Sequence, residues 1–327
     1  MKGFSNRFTD FPDYILGITR EIWEDRGIAT LHEYYAPDII VRSPGSVVTG
    51  NIGVINATMA TLAEFPDRQL LGEDVIWSGS PETGMLSSHR ILSTATHHGD
   101  GVYGAATGTR LVYRILADCH AKDNVIDDEW LIRDQGAIVR QLGWEPEAYA
   151  RDLIDREGGP DACVKPMSPE NDLAGPYQGN GNDNEWGAAL GDLLTRMMGA
   201  DMAAIPGLYD RAAHLCYPGH VTGHGWDPAD RFWMGLRAAF PSAVFTIHHQ
   251  IGREDPTMPP RAAIRWSLHG RHDGWGAFGR PSGAEVFVLG ITHAEFGSLG
   301  TASPTLRREW TLFDETAVWK QIALHKG

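Results

Sequence analysis

The order of apolar and polar positions divides the chain into one succession of elements that occurs twice. In the first half, Ile15, Ile18 and Ile22 recur at helical spacing over residues 11–26, with Pro12 near the start and Gly27 as a stop. A second short helix is predicted over 28–35, closed by Ala36-Pro37. The β-branched run 39–42, the turn Ser43-Pro44-Gly45 and the run 47–50 read as a small hairpin. Residues 51–64 place Ile52, Ile55, Met59 and Leu62 on one helical side, and Phe65-Pro66-Asp67 ends that helix. Strands are then expected at 68–77, 84–96, 111–120, 126–133 and 138–142, separated by Gly-, Asp- and Asn-rich turns. Helices followed by an antiparallel meander make an α+β pattern.

A helix is predicted at 147–154. Residues 158–185, rich in Gly, Pro, Asn and Asp, read as a mostly irregular interdomain linker. The second half repeats the order, with helices expected at 186–199, 202–215 and 230–239 and a turn at Tyr217-Pro218-Gly219. Its strands are expected at 221–223, 243–251, 262–269, 284–296, 305–313 and 317–324. The plainest copy is HRILSTATHHGDGVYGAATG at 89–108 against IRWSLHGRHDGWGAFGRPSG at 264–283. A shift of 175 residues brings Arg90 onto Arg265, His97 onto His272, Gly99 onto Gly274 and Gly104 onto Gly279. A shift of 180 brings Glu129-Trp130 and Asp134 onto Glu309-Trp310 and Asp314. The expected organisation is a first domain over 1–150, a linker over 151–185 and a second domain over 186–327.

Composition narrows the function. Of 327 residues, 42 are acidic and 28 basic, a net charge of −14 that repels nucleic acid and anionic lipid. Neither a nucleic-acid nor a membrane partner is expected, and no apolar run reaches the roughly 18 residues of a membrane span. The stretch MKGFSNRFTDFPDY does not read as a secretory signal. Three cysteines, Cys119, Cys163 and Cys216, form no CxxC pair, so a reducing cytoplasm is the expected compartment. Serine-nucleophile and nucleotide-binding signatures are absent, and no cofactor is expected.

Candidate chemistry sits on the long strands. Residues 111–120 alternate between an apolar face (Leu111, Tyr113, Ile115, Ala117, Cys119) and a face carrying Leu116, Asp118 and His120. The matching strand of the second half puts Leu289, Ile291, His293 and Glu295 on one face. In each copy an acid and an imidazole stand two residues apart, about 7 Å at the backbone, which suits a proton shuttle near neutral pH. The alternative is a pair on the sheet rim. His97 and His272 read as structural, at a glycine-rich strand end, and Arg90 and Arg265 as ion-pair formers ahead of substrate clamps. His248, His293 and Glu295 would make a two-His, one-carboxylate metal set if they converged, but pocket histidines without metal are the expected case. Tyr34, Trp130, Tyr209, Trp226, His248 and Trp310 are candidate ligand contacts.

The run Arg265-Trp266, Gly270, His272, Gly274, Phe278-Gly279, Pro281, Ser282-Gly283 resembles the SnoaL-like branch of the nuclear transport factor 2-like superfamily, also called polyketide cyclase-like or ester cyclase proteins. The first half has Arg90, His97, Gly99, Tyr103-Gly104 and Thr107-Gly108 and lacks the Trp and Pro. The resemblance implies two tandem cone-shaped α+β barrels, each with three helices on a curved antiparallel sheet around an apolar pocket. Since convex sheet faces commonly dimerise in this family, it also implies an intrachain pseudo-dimer, with further homodimerisation open. It places an acid/base carboxylate near Asp128, with Glu129 beside it; the second half has Arg308 there, which cannot serve as a base. A one-residue change of register would reverse the faces. The candidate catalytic set is therefore Asp118, His120, Asp128, His293 and Glu295. Two readings follow: cofactor-free acid/base chemistry next to a carbonyl (aldol-type cyclisation, isomerisation or dehydration), or small-molecule binding and scaffolding without turnover.

Overall fold

A computed structural model describes residues 1–297 and 304–326. Helix α1 (Phe11–Trp23) starts where the Asp10 carboxylate accepts from the Asp13 amide at 2.9 Å, and buries Phe11, Tyr14, Ile15, Ile18 and Ile22. A 3₁₀ turn at Ile28–Thr30 leads into the short α2 (Leu31–Tyr34). The hairpin β1 (Tyr35–Ser43) and β2 (Ser46–Thr49) precedes α3 (Asn51–Glu64). Then come β3 (Gln69–Ser80), β4 (Gly84–Thr96), β5 (Arg110–Lys122) and β6 (Val125–Arg133), followed by α4 (Gln135–Gln141) and α5 (Pro146–Arg156).

The second half runs α6 (Glu185–Met198), α7 (Ala204–Leu208), β7 (Tyr209–Tyr217), β8 (Val221–His224) and α8 (Trp226–Ala239). It ends with β9 (Val244–Arg253), β10 (Arg261–Arg271), β11 (Glu285–Gly297), β12 (Thr305–Phe313) and α9 (Glu315–Lys326). The two sheets share one topology, β2-β1-β6-β5-β4-β3 and β8-β7-β12-β11-β10-β9. The expected pair of α+β cone domains is what the chain forms. Among the described residues no helix is long and apolar enough to cross a membrane.

Three segments differ from the sequence expectation. Residues 138–142, expected as a strand, lie in helix α4 and its C-cap Leu142, and 317–324, also expected as a strand, lie in α9. Both edges of β6 are taken, by β5 and by a parallel β1, so a further strand has no place beside it. The carboxylates of Asp134 and Asp314 then start helices, accepting from the Ala137 amide at 3.0 Å and the Thr316 amide at 2.8 Å. Short apolar runs do not distinguish the two states. Residues 202–215, expected as one helix, are helical only to Leu208. From Tyr209 they form β7, whose parallel pairing with β12 completes the sheet as β1 does in the first half.

The repeated glycine-rich motif is architectural. His97 Nε2 lies 3.2 Å from Glu64 Oε1 and its Nδ1 3.1 Å from Thr107 Oγ1, which ties the end of β4 to the end of α3. A Cβ on Gly99 would stand 2.2 Å from the Ala63 carbonyl oxygen, and one on Gly274 2.0 Å from that of Ala238, so only glycine lets the backbones approach.

The outer faces of the two sheets pack against each other. Leu116, Ile132, Leu289, Ile291 and Leu312 form one apolar cluster of this seam, Ile76, Leu86, Ile251 and Ala263 another. The polar contacts are reciprocal. Arg90 lies over the Trp310 ring at 3.5 Å and Arg265 over the Trp130 ring at 3.5 Å. Arg265 donates to Asp118 at 2.9 Å, and the Arg90 guanidinium lies 3.4 Å from His293 Nδ1. Contacts that map onto each other across two copies define a pseudo-two-fold interface. The segment between α5 and α6 is irregular, as expected, yet fastened across the seam. Met167 N donates to the Pro44 carbonyl at 3.0 Å, Asn182 N to that of Gln250 at 2.9 Å, and the Tyr177 hydroxyl meets His249 Nε2 at 2.7 Å.

Candidate functional site

The inner face of the first sheet, α1, α3 and α5 enclose a cavity of about 460 Å³. Strand alternation decides what faces it. On β5 these are Ile115, Ala117 and Cys119, and their partners across the ladder on β6 are Arg133, Leu131 and Glu129. His89 and Ile91 enter from β4, and Tyr35 and Val41 from β1. The last helix of the second half also contributes, through Thr316, Ala317 and Lys320.

Glu129 lines this cavity from β6. It is 6% exposed, and burial raises its pKa from 4.5 to about 7, against the opposing effect of a hydrogen bond with Tyr35. Burial likewise holds the Tyr35 phenol well above its usual range, so it remains a donor. His89 is pushed by burial down to about 4 and is a neutral imidazole at physiological pH. Burial also raises the neighbouring Cys119 thiol, which disfavours a thiolate. The wall thus presents Glu129 flanked by neutral donors over an apolar floor; a second lining carboxyl, Asp314, is likewise raised by burial, from 3.8 to about 7, but accepts from the Thr316 amide and hydroxyl.

The second half closes the same space. Shifted by the repeat, Ser43 becomes Tyr217, Ala57 becomes Phe232, Thr58 becomes Trp233 and Ile91 becomes Trp266. Tyr217 and Phe232 stack at 3.9 Å, and the Trp233 and Trp266 rings lie 6.0 Å apart. The Trp266 ring fits because Gly290 replaces Ile115 opposite it; a Cβ there would be 2.1 Å from the ring. Glu309, the counterpart of Glu129, accepts from Tyr209 at 2.7 Å, Tyr217 at 3.0 Å and Thr311 at 2.6 Å. Ser43 and Leu131 stand where two of those donors would be in the first half. One carboxyl is strapped into a filled core, the other faces open space.

The structure places the five sequence candidates on the outer faces, in the seam, and none of them lines this cavity. Asp118 pairs with Arg265, His293 meets Ser88 Oγ at 2.8 Å, and Glu295 pairs with Arg308 at 3.1 Å. Asp128 is bonded by Arg42 and by the Tyr177 amide at 3.2 Å, and His120 by Asp127 at 2.6 Å. The pairing of faces read from β5 is right, but the charged face is covered by the other sheet, where its charges are matched across the seam. On β6 the register puts Asp128 outward and Glu129 inward.

Nor do the ligand-contact candidates line the cavity. Tyr34 packs on Tyr14, and Trp130 and Trp310 lie beneath the seam arginines. Tyr209 holds Glu309, Trp226 donates to the Tyr209 carbonyl at 3.0 Å, and His248 meets Ser267 Oγ at 2.7 Å. Among the described residues no group of three or more His, Cys, Asp or Glu side chains is arranged to hold a metal, so His248, His293 and Glu295 do not form one. Two signals pointed to the residues missed. The apolar face of β5 marks the inside, and Glu129 lies opposite its Cys119. The small-to-aromatic exchanges between copies mark which cone is open.

Neither a protein-family model nor a curated protein matches the sequence. Solved structures do. IdmH from Streptomyces antibioticus, a candidate polyketide cyclase, is 24% identical and covers 41% of this chain and 98% of its own, with a TM-score of 0.36. A candidate SnoaL-like polyketide cyclase from Jannaschia sp. CCS1 is 16% identical over 45% of this chain and 98% of its own, with a TM-score of 0.36. A ketosteroid isomerase-like protein from Erwinia carotovora atroseptica is 17% identical over 40% and 98%, with a TM-score of 0.30. Each covers about the length of one half.

Proposed function

We propose that the first cone binds a small, largely apolar carbonyl compound and that Glu129 moves a proton on it without a cofactor. The observation that carries this reading is the contrast between Glu129 and Glu309: the same carboxyl, satisfied by three hydroxyls in one copy and left facing a cavity in the other. A carboxyl that releases its proton near pH 7 is matched to general acid/base work at that pH. Ionised, Glu129 takes a proton from the carbon next to the carbonyl. The electron pair moves to the carbonyl oxygen, where the Tyr35 phenol or the neutral His89 imidazole can donate a hydrogen bond. Protonated Glu129 then returns its proton to carbon (isomerisation) or to a departing hydroxyl (dehydration), or the enolate carbon attacks a second carbonyl of the same molecule and Glu129 gives its proton to the alkoxide so formed (aldol-type cyclisation, as for a polyketide). The second cone is filled and serves as a wall and a docking partner.

The test is carbon-bound hydrogen exchange. Carbonyl compounds that raise the melting temperature are incubated with protein in D₂O, and deuterium uptake is followed by NMR. Wild type and Glu309→Gln should catalyse uptake, and Glu129→Gln should lose at least a hundredfold. Ligands that bind with no uptake in any form would refute catalysis and leave a binding protein.

A further inference from the structure

The first cavity also contains two guanidinium groups. Arg68, just before β3, and Arg133, at the end of β6, both line it. Arg68 is 6% exposed, and the Nε atoms of both are buried with no hydrogen-bond partner among the described residues. Arginines buried in the seam are matched by carboxylates: Arg42 with Asp128, Arg90 with Glu73, Arg261 with Asp74 and Arg265 with Asp118. Arg68 and Arg133 are in no salt bridge among the described residues; phenols hydrogen-bond them, Tyr113 the first and Tyr103 the second. Asp314, which also lines the cavity and whose charge Arg133 feels from the second half, accepts through Oδ1 from the Thr316 amide at 2.8 Å and hydroxyl at 2.7 Å, at the start of α9. Burial, and the proximity of Arg133, both disfavour the charge on Arg68.

The fold does not need this pair. At the equivalent positions the second half has Ala243 and Phe313, 5% and 3% exposed. The two cations occur in the open cone and are replaced by apolar residues in the filled one. A buried guanidinium without a carboxylate partner is costly; burial disfavours the charge on Arg68, while the phenols and Asp314 favour it on Arg133, and the fork geometry of both matches a carboxylate. Arg133 stands four residues beyond Glu129 on the same face of β6, about 13 Å away at the backbone. Leu131, Ile91 and Ile115 line the space between.

We propose that the cavity takes an amphipathic carboxylic acid, its carboxylate held by Arg68 and Arg133 and its apolar body laid along Leu131, Ile91 and Ile115. If Glu129 acts as proposed above, the reacting carbon lies toward the far end of that body; this part rests on the functional reading, the anion site does not. The net charge of −14 repels acids in general, so a preference for one must come from these groups.

The experiment measures dissociation constants by calorimetry for decanoate and decanamide, equal in length and differing in charge. Wild type should bind decanoate at least tenfold more tightly. Arg68→Ala and Arg133→Phe, the residues of the second half, should bring the ratio near one and leave decanamide binding within about threefold. Arg133→Lys should give an intermediate ratio. Equal affinities in wild type, a ratio that survives the double variant Arg68→Ala/Arg133→Phe, or no binding of either compound would overturn the proposal. A retained acid preference without deuterium uptake would refute catalysis and leave the anion site standing.

Discussion

Replacing Glu129 by Gln should stabilise the protein, and the gain should depend on pH in a way the cavity dictates. In the folded chain burial lets the carboxyl keep its proton to about pH 7, against 4.5 for the ordinary group. Below 4.5 both states are protonated and the carboxyl costs nothing. As pH rises toward 7 the unfolded chain loses the proton and the folded one keeps it, so stability falls. Above 7 the folded state must bury the charge, at a total of about 3 kcal/mol from 1.36 kcal/mol per pH unit. The Gln variant does not titrate and escapes that cost. Its advantage over wild type should therefore be smallest below pH 4.5, grow through the interval and level off above 7. Urea unfolding followed by tryptophan fluorescence would show the midpoints separating by roughly 1 M at an m of about 3 kcal/mol/M. A difference that stays constant from pH 4.5 to 8 would refute the claim that Glu129 is buried against the cavity without adequate partners.

Three further outcomes follow from the same contrast between copies. Thr58→Trp introduces the residue found at the matching position of α8, and the indole should occupy the cavity: ligand-induced thermal shifts should vanish while stability holds or rises by about 0.5–2 kcal/mol. Glu309→Gln disturbs three hydroxyl donors in the filled core and should cost about 1–3 kcal/mol in chemical denaturation, with ligand binding by the first cone unchanged. In the seam, Arg265→Ala leaves Asp118 charged and unpaired and should cost about 3–5 kcal/mol, whereas Arg265→Ala/Asp118→Ala should recover much of that loss; additive single effects in the double-mutant cycle would sink the pairing.

Much of the fold was legible in the sequence because periodicity is local. The copy at 89–108 and 264–283 revealed the duplication, and alternation along 111–120 separated Ile115, Ala117 and Cys119 from Leu116, Asp118 and His120. Charge on the second face drew attention to it as a site, since charged residues on a strand ordinarily mark solvent or function. Here the second sheet covers that face, and Asp118 and His293 mark the seam. The cavity is formed by the other face, whose residues look like plain core.

The sequence alone determined the duplication, the helices and most strands, and the identity of the shared Glu-Trp pair. These depend on spacing of 2 or 3.6 residues, which each segment states for itself. Tertiary structure decided which way the pair points, that 138–142 and 317–324 become helices once β1 and β7 occupy the last sheet edges, and which cone stays open. Those outcomes depend on volume and on partners far apart in the chain. Trp266 fits only opposite Gly290, and Glu309 is satisfied only where Tyr209, Tyr217 and Thr311 converge. Where Ile91, Ser43 and Leu131 stand instead, the same fold leaves a cavity and a carboxyl facing it.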